Sequence, residues 1–589
     1  MARPDPYLLH ARHTAFIDYV PRYEQHSLLD FLLEVTESGA QTLRAWVEEG
    51  LALVNLAHLD AGSRFVTARM PLGALAQLES DGGLYASELA ESLRHQRTAW
   101  PKQEFADKFN GTRPPPGQNA SGTLVGIIDD GCPFAHREFR SGTSGGTRIA
   151  ALWDMDPNPQ ISLGHAPPAR FFRGREVSRA LLDGCIAAHT SSSGVVDERA
   201  CYRSANYSAV EADVTHGSHL LGLLAGTSYS RPRGMSDPAA LADIAFMQLP
   251  RRESEAPAAG SLHACILDAL RYLRTFAEGR GYQRCVVVCS WGSQLGPHDG
   301  SSLFERALDA FLNEGGIPFE FVFAAGNGYD AAIHAQLRPN SGKPASIGWV
   351  LPYGNEAPSF AELWMDAQAG PVRITVGGGG ASAPVTGENS VAEVQPWLTV
   401  VRTGPCVSLR AAPTSAQTGI PVARPGLVTI TATSDAPATL EGYLCWGGRN
   451  LGYARETKPS RWQALAGDDD VQITGAGSLL GDACGASGKL YVIGGFVGAS
   501  DPQQYRRAAY SAAGPTRGGG RSGPSFLALS DSDAAHRGVP GPGTRSGIVT
   551  RVWGTSVAAP QGARAIVNRE TLPAGGTNPA SDGGGFLPP

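Results

Sequence analysis

No run in this 589-residue chain approaches the roughly 20 apolar residues that a membrane-spanning helix needs, and Met1-Ala2-Arg3-Pro4-Asp5-Pro6-Tyr7 is not followed by the apolar core of a secretory leader. The expectation is a cytoplasmic protein with no membrane partner. A strong charge of one sign is missing too. Lys plus Arg total 49 and Asp plus Glu 55, for a formal net charge of −6 with no basic stripe, so nucleic acid is not an expected partner. The nine cysteines (Cys132, Cys185, Cys201, Cys265, Cys285, Cys289, Cys406, Cys445 and Cys484) are odd in number, scattered and without paired zinc spacing, which argues against a disulfide framework. Cys132 reads as a small buried filler in preference to a redox sensor. Glycine and proline, by contrast, are abundant. Their 73 and 42 copies imply many turns, and the chain length implies two or three domains.

Near the C-terminus stands Gly554-Thr555-Ser556-Val557-Ala558-Ala559-Pro560, which reads as a serine at the mouth of a helix. A serine needs a base to become a nucleophile. Two upstream segments have the form to supply the base and its orienting acid. Leu124-Val125-Gly126-Ile127-Ile128-Asp129-Asp130-Gly131 is an apolar run too short for a helix and reads as a buried parallel strand that delivers a carboxylate. Thr215-His216-Gly217-Ser218-His219-Leu220-Leu221-Gly222 opens a small-and-apolar helical stretch. Taken singly, each has a plainer reading. An Asp-Asp-Gly usually ends a strand, Asn327 among glycines usually makes a turn, and His216 with His219 has metal-ligand spacing but no third ligand.

The chain order Asp, His, Ser in these contexts resembles the subtilase family of serine proteases, as does Phe323-Ala324-Ala325-Gly326-Asn327-Gly328. The resemblance covers most of Gly122 to Ala565. It implies Asp129 as the orienting acid, His216 as general base, Ser556 as nucleophile and Asn327 as oxyanion-hole donor together with the Ser556 backbone N–H. Ser290-Trp291-Gly292 resembles the edge on which a substrate peptide adds as a strand, although Trp291 also reads as a hydrophobic plug. Asp130 departs from the Ser or Thr of many members, which puts the hydrogen bonding around Asp129 in question. No cofactor is needed for peptide hydrolysis, no metal ligands are expected, and no calcium site is indicated.

The expected fold is α/β, a doubly wound parallel sheet with an N-terminal ferredoxin-like block and an inserted β-sandwich. Residues 1–110 read as a βαββαβ unit: strand Leu29–Thr36, helix Ala40–Glu49, strands Leu51–His58 and Arg64–Met70, helix Leu72–Ser80 and strand Leu84–Glu88. That order resembles subtilase pro-segments, which implies an inhibitor cut away between Leu93 and Gly117, and Thr112-Arg113-Pro114-Pro115-Pro116-Gly117 supplies a linker. Residues 118–340 and 469–566 form the two parts of the enzyme body. Between them, 341–468 reads as a jelly-roll-like sandwich, with β-rich runs from Phe360–Met365 to Leu440–Trp446. This layout resembles the clostridial spore-germination subtilases. Residues 567–589 read as a flexible tail.

The function implied is a serine endopeptidase acting on protein or peptide substrates, held as a zymogen by its own N-terminal block or by a regulatory protein partner. Two other classes remain open: a catalytically silent binding protein on the same fold, and a peptide ligase or cyclase that diverts the acyl-enzyme to an amine.

Overall fold

A computed structural model describes residues 5–16, 24, 27–90, 122–141, 145–156, 166–227, 237–250, 261–355, 357–366, 372–378, 381–385, 390–415, 421–445, 459–533, 535, 537–574 and 578–588. Its centre is the strand Thr123–Asp129, buried along its whole length. Alternate residues of a strand point to opposite faces, so Leu124 and Ile128 enter one core while Val125 and Ile127 enter another. Helices Ser261–Gly279 and Leu303–Asn313 cover the first face. Arg179–Ala188, His216–Ala225 and Thr555–Val567 cover the second. A strand buried on both faces must be apolar throughout, which is why TLVGIID lacks the alternation of a surface strand.

Among the described residues the sheet has nine strands. On one side of Thr123–Asp129 lie Asp243–Gln248, Ile149–Asp154 and Arg175–Ser178; on the other lie Arg284–Cys289, Phe319–Ala324, Leu490–Val497 and Arg506–Arg507, and Phe526–Asp531 also pairs with Leu490–Val497. The pairings are parallel except at Arg175–Ser178 and Arg506–Arg507. The chain runs outward from the central strand, returns beside it and then crosses to the other side. Asp129 therefore ends the strand at which the winding reverses, where open α/β sheets form crevices for ligands.

The N-terminal block has antiparallel strands in the order Leu53–Val54, Phe65–Pro71, Leu28–Val35, Leu84–Leu89. Three features differ from the sequence reading. The strand expected over Leu51–His58 is reduced to Leu53–Val54, and Leu56–Asp60 turns as a helix. The reason is polar: Asn55 Nδ2 and His58 Nε2 reach Asp268 of helix Ser261–Gly279 at 2.7 and 2.8 Å, and Thr67 Oγ1 donates to it at 2.6 Å. A helix Pro6–His13, capped by Asp5, precedes the block. The segment 91–121, with the expected linker and cleavage window, lies outside the described residues.

Among the described residues the β-rich region forms two antiparallel sheets of seven and five strands that share one core around Trp349, Trp462, Ile374 and Leu409. Its strands run from His334 to Ile473, wider than the expected 341–468, because His334–Leu337 and Val471–Ile473 pair with each other at the edge of the larger sheet. The expected strand end at Trp446 lies outside the described residues. The tail is also corrected. Leu527 N donates to Gly585 O at 2.8 Å and Leu587 N to Leu527 O at 2.7 Å, while Phe586 packs against Phe496 and Tyr505. Residues 585–587 are folded onto the sheet because Phe586 and Leu587 find apolar partners there. Among the described residues no helix is long and apolar enough to cross a membrane.

Buried polar contacts join the bodies. His263, on helix Ser261–Gly279, stacks on Phe304 and lies between Glu88 of the N-terminal block and Asp482 of the body. Burial works against its charge, but the two carboxylates outweigh it and raise the pKa well above 6.5. A group raised on folding contributes stability that is full below its unfolded value and is lost as pH rises through the folded one. His263→Gln is therefore expected to be markedly less stable than wild type near pH 6, with the gap narrowing at alkaline pH. Urea denaturation at several pH values measures it; a gap that stays constant removes His263 as the source.

Candidate active site

Thr215 and Ser218 cap the helix that begins at His216, each side chain accepting from the other's backbone N–H at 3.1 Å. That fixes the first helical residue, and His216 Nδ1 lies 2.8 Å from Asp129 Oδ1. The His is buried. Burial alone would depress its pKa, but the charge and hydrogen bond of Asp129 and the charge of Asp130 together hold it above the usual imidazole value. Its Nε2 has no hydrogen-bond partner among the described residues, which leaves that nitrogen to receive a proton.

Ser556 sits in the first turn of helix Thr555–Val567. Pro560, inside that helix, has no N–H to offer the carbonyl four residues back, which is that of Ser556. Ser290 Oγ donates to this carbonyl at 3.2 Å instead. Gly554 precedes the helix at φ 124°, a conformation open to glycine, and a Cβ there would come within 3.2 Å of Asn327 Nδ2. Asn327 is oriented by Thr555, whose N–H and hydroxyl donate to Asn327 Oδ1 at 2.9 and 3.1 Å. Both bonds use the amide oxygen, so the amide nitrogen is not spent on Thr555. Ser556 Oγ makes no bond to His216 among the described residues, as is common for such pairs before substrate tightens them.

The two helices are tied to each other. Arg564, from the Ser556 helix, donates to Leu223 O at 3.0 Å and Gly226 O at 2.8 Å, which satisfies carbonyls at the end of the His216 helix. Its charge is matched by Asp237.

Asp130 answers the question its identity raised. Its Oδ1 accepts from Gly217 N at 3.0 Å, in the first turn of the His216 helix, where a carboxylate is favoured. A Cβ at Gly217 would lie 2.0 Å from the Asp130 carbonyl oxygen, so the helix can approach this closely only with glycine there. Gln248 accepts from Gly131 N at 2.6 Å, and Tyr207 OH accepts from Cys132 N at 2.8 Å, which holds the turn after Asp129. The Cys132 thiol is buried and raised by burial, as a packing residue is.

Asp129, Asp130 and His216 are, among the described residues, the one group of such side chains with potential metal-ligand atoms within 4.8 Å of one another. Within the group Asp129 Oδ1 bonds His216 Nδ1, and Asp130 Oδ1 bonds Gly217 N of the His216 helix. His219 stays apart: its Nε2 pairs with Val539 O at 2.9 Å, and burial lowers its pKa to about 4. Of the proposed substrate edge, the side chains of Ser290 and Trp291 face inward, Trp291 donating to Asp129 Oδ1 at 3.1 Å. Gly292 passes so close to Phe323 that a Cβ would lie 2.7 Å from its ring. The roles of Asp130 and Trp291 had no sequence signal, because both depend on which loops the sheet brings together.

The structure thus brings together an acid at the end of the reversing strand, a histidine bonded to it and a serine at the start of an adjoining helix. The chain belongs to the subtilase family of serine proteases, whose family model matches residues 120–568. No curated protein matches it. Among solved structures, the CspB protease of Clostridium perfringens is similar in fold, with TM-score 0.59 and 17% identity over 80% of this chain and 93% of that one, in line with the clostridial layout. Weaker similarities, at TM-scores of 0.33 and 0.28, are to S41 psychrophilic protease (12% identity; 76% of each chain) and to PatG macrocyclase in complex with peptide (9%; 76% of this chain, 75% of that).

The charge on Asp130 contributes to the raised His216 value. The acid side of the kcat/KM profile is therefore expected to fall off at a midpoint above that of free imidazole. In Asp130→Asn, which keeps an acceptor for Gly217, the midpoint moves to lower pH. A profile unchanged by the substitution removes Asp130 from the electrostatics of the base.

Proposed function

We propose that this protein is a serine endopeptidase in which His216 takes the proton from Ser556 as its hydroxyl oxygen attacks the scissile carbonyl and then returns it to the leaving amine, with Asp129 fixing the imidazole tautomer. The contact between Asp129 Oδ1 and His216 Nδ1, with Nε2 left free for this transfer, carries the reading. The product of attack is an acyl-enzyme that water hydrolyses. The charge on the carbonyl oxygen is met by the Asn327 amide and the Ser556 backbone N–H, the latter at a helix N-terminus. No cofactor enters the scheme. The presence of all three residue types, with the acid and base in contact, argues against a silent binding protein, and no observation favours ligation over hydrolysis.

In this reading the N-terminal block is a pro-segment that keeps the enzyme shut, cut by Ser556 itself in the stretch from Leu93 to Gly117. The two antiparallel sheets are a β-sandwich that selects a protein substrate or regulatory partner, since their shared core carries packing residues and none of the proposed catalytic groups.

A fluorophosphonate is expected to label Ser556 in wild type and not in Ser556→Ala; a labelled alanine variant rejects the nucleophile. Asn327→Ala should lower kcat by on the order of 10²–10³ with little change in KM. Wild type should acquire a new N-terminus between Leu93 and Gly117, while Ser556→Ala stays full length. An uncut, fully active chain would make the N-terminal block a permanent domain.

A further inference from the structure

We propose that Trp291 is a positioning residue for the triad, one that sets the orientation of Asp129 and the strength of its hydrogen bond to His216, and that it is not a wall of a substrate pocket; this rests on the triad reading above. The strand Arg284–Cys289 lies beside Thr123–Asp129 in parallel, with Ile128 opposite Cys289. Residues just past Cys289 therefore emerge level with Asp129, and the indole turns back across the gap between the strands. Its Nε1 lies 3.1 Å from Asp129 Oδ1, and its ring meets the His216 imidazole in a T-shaped contact with centroids 5.4 Å apart and planes at 74°. Trp291 is 4% exposed, too little to present a face to a substrate side chain.

The chemistry of the donor gives the contact its effect. An indole N–H donates and cannot accept, so it supports only an acceptor oxygen on its partner. Asp129 Oδ1 accepts from three groups: Asp130 N at 2.8 Å, His216 Nδ1 at 2.8 Å and Trp291 Nε1 at 3.1 Å. Oδ2 is buried without a partner among the described residues, so the carboxylate is oriented through a single oxygen. A donor to that oxygen stabilises the anion and weakens its pull on the His216 proton. Without it the carboxylate is freer to rotate and its charge acts more fully on His216, which becomes harder to deprotonate.

The neighbouring residues make the brace rigid. Ser290 holds the Ser556 carbonyl, Cys289 Sγ donates to Trp291 O at 3.4 Å, and Gly292 passes against Phe323. Consecutive side chains at one strand end thus steady the nucleophile and the acid, while their backbone stays on the expected substrate edge. A peptide that pairs there presses on the piece that aligns the triad.

The test uses Trp291→Phe, expressed as the whole chain and allowed to mature alongside wild type; it keeps an aromatic ring and removes the N–H. On a short peptide substrate kcat should fall about 10–100-fold, the usual effect of losing a hydrogen bond to a charged group, with KM nearly unchanged. The acid limb of the pH profile should move to higher pH. A raised KM with kcat and pH midpoint unmoved would make Trp291 a pocket wall, and unchanged kinetics would make it packing only; either overturns the proposal. A second measurement does not depend on the variant folding. In Ser556→Ala protein, the assigned Trp291 indole N–H and His216 Nδ1–H proton resonances should shift together through one pH midpoint, and independent behaviour overturns the assignment. Failure of wild type to label with fluorophosphonate would reject the triad reading itself, whereas normal labelling with an unmoved Trp291→Phe profile rejects only this inference.

Discussion

The arrangement of this molecule depends on one buried carboxylate. Asp129 is fully enclosed, and a carboxylate in such a place is tolerated only where donors surround it. Those donors come from three separate parts of the chain: its own following residue, the first residue of a helix 87 positions later and an indole 162 positions later. The central strand delivers the acid to a fixed height, and everything else is brought to it. The Asp130 carboxylate holds the helix of His216 by its first turn, and Gln248 and Tyr207 hold the turn between.

The second constraint is the meeting of two helix starts. A histidine and a serine at first-turn positions point toward the same crevice only if their helices pack closely, and small residues let them do so. The arginine of one helix closes the carbonyl end of the other and ties the two together. The proline in the serine helix interrupts that helix's own bonding where a hydroxyl from the neighbouring strand end can enter. What looks like a helix defect is a point of attachment.

Around this centre the N-terminal block and the paired sheets are joined by polar nodes as well as apolar cores. Asp268 receives three donors from the block. Glu362, on the larger sheet, accepts from Tyr7 of the first helix, from Trp364 and from Gly296 of the body. Separation at such nodes leaves buried polar groups without partners, a cost comparable to losing several hydrogen bonds at once. These joints resist gradual loosening for that reason.

Local chemistry made a good part of this legible beforehand. The uniformly apolar strand, the acid at its end, the helix start at His216, and the serine heptad follow from side-chain size, period and capping, which neighbours in sequence decide. The helix Pro6–His13 carries the same kind of local signal, since Asp5 and Pro6 are an N-cap and a first-turn proline. Other features were out of reach. Leu51–His58 has strand composition, yet a buried aspartate more than 200 residues away draws Asn55 and His58 out of it. The final residues look like a loose tail until Phe586 finds its aromatic partners. Trp291 reads as a plug or as part of a substrate edge until the fold brings its indole to Asp129. The sequence by itself determined which residues can carry charge, accept a proton or start a helix; only the tertiary structure decided which of them face each other, because a hydrogen bond over a few ångströms depends on where distant segments come to rest.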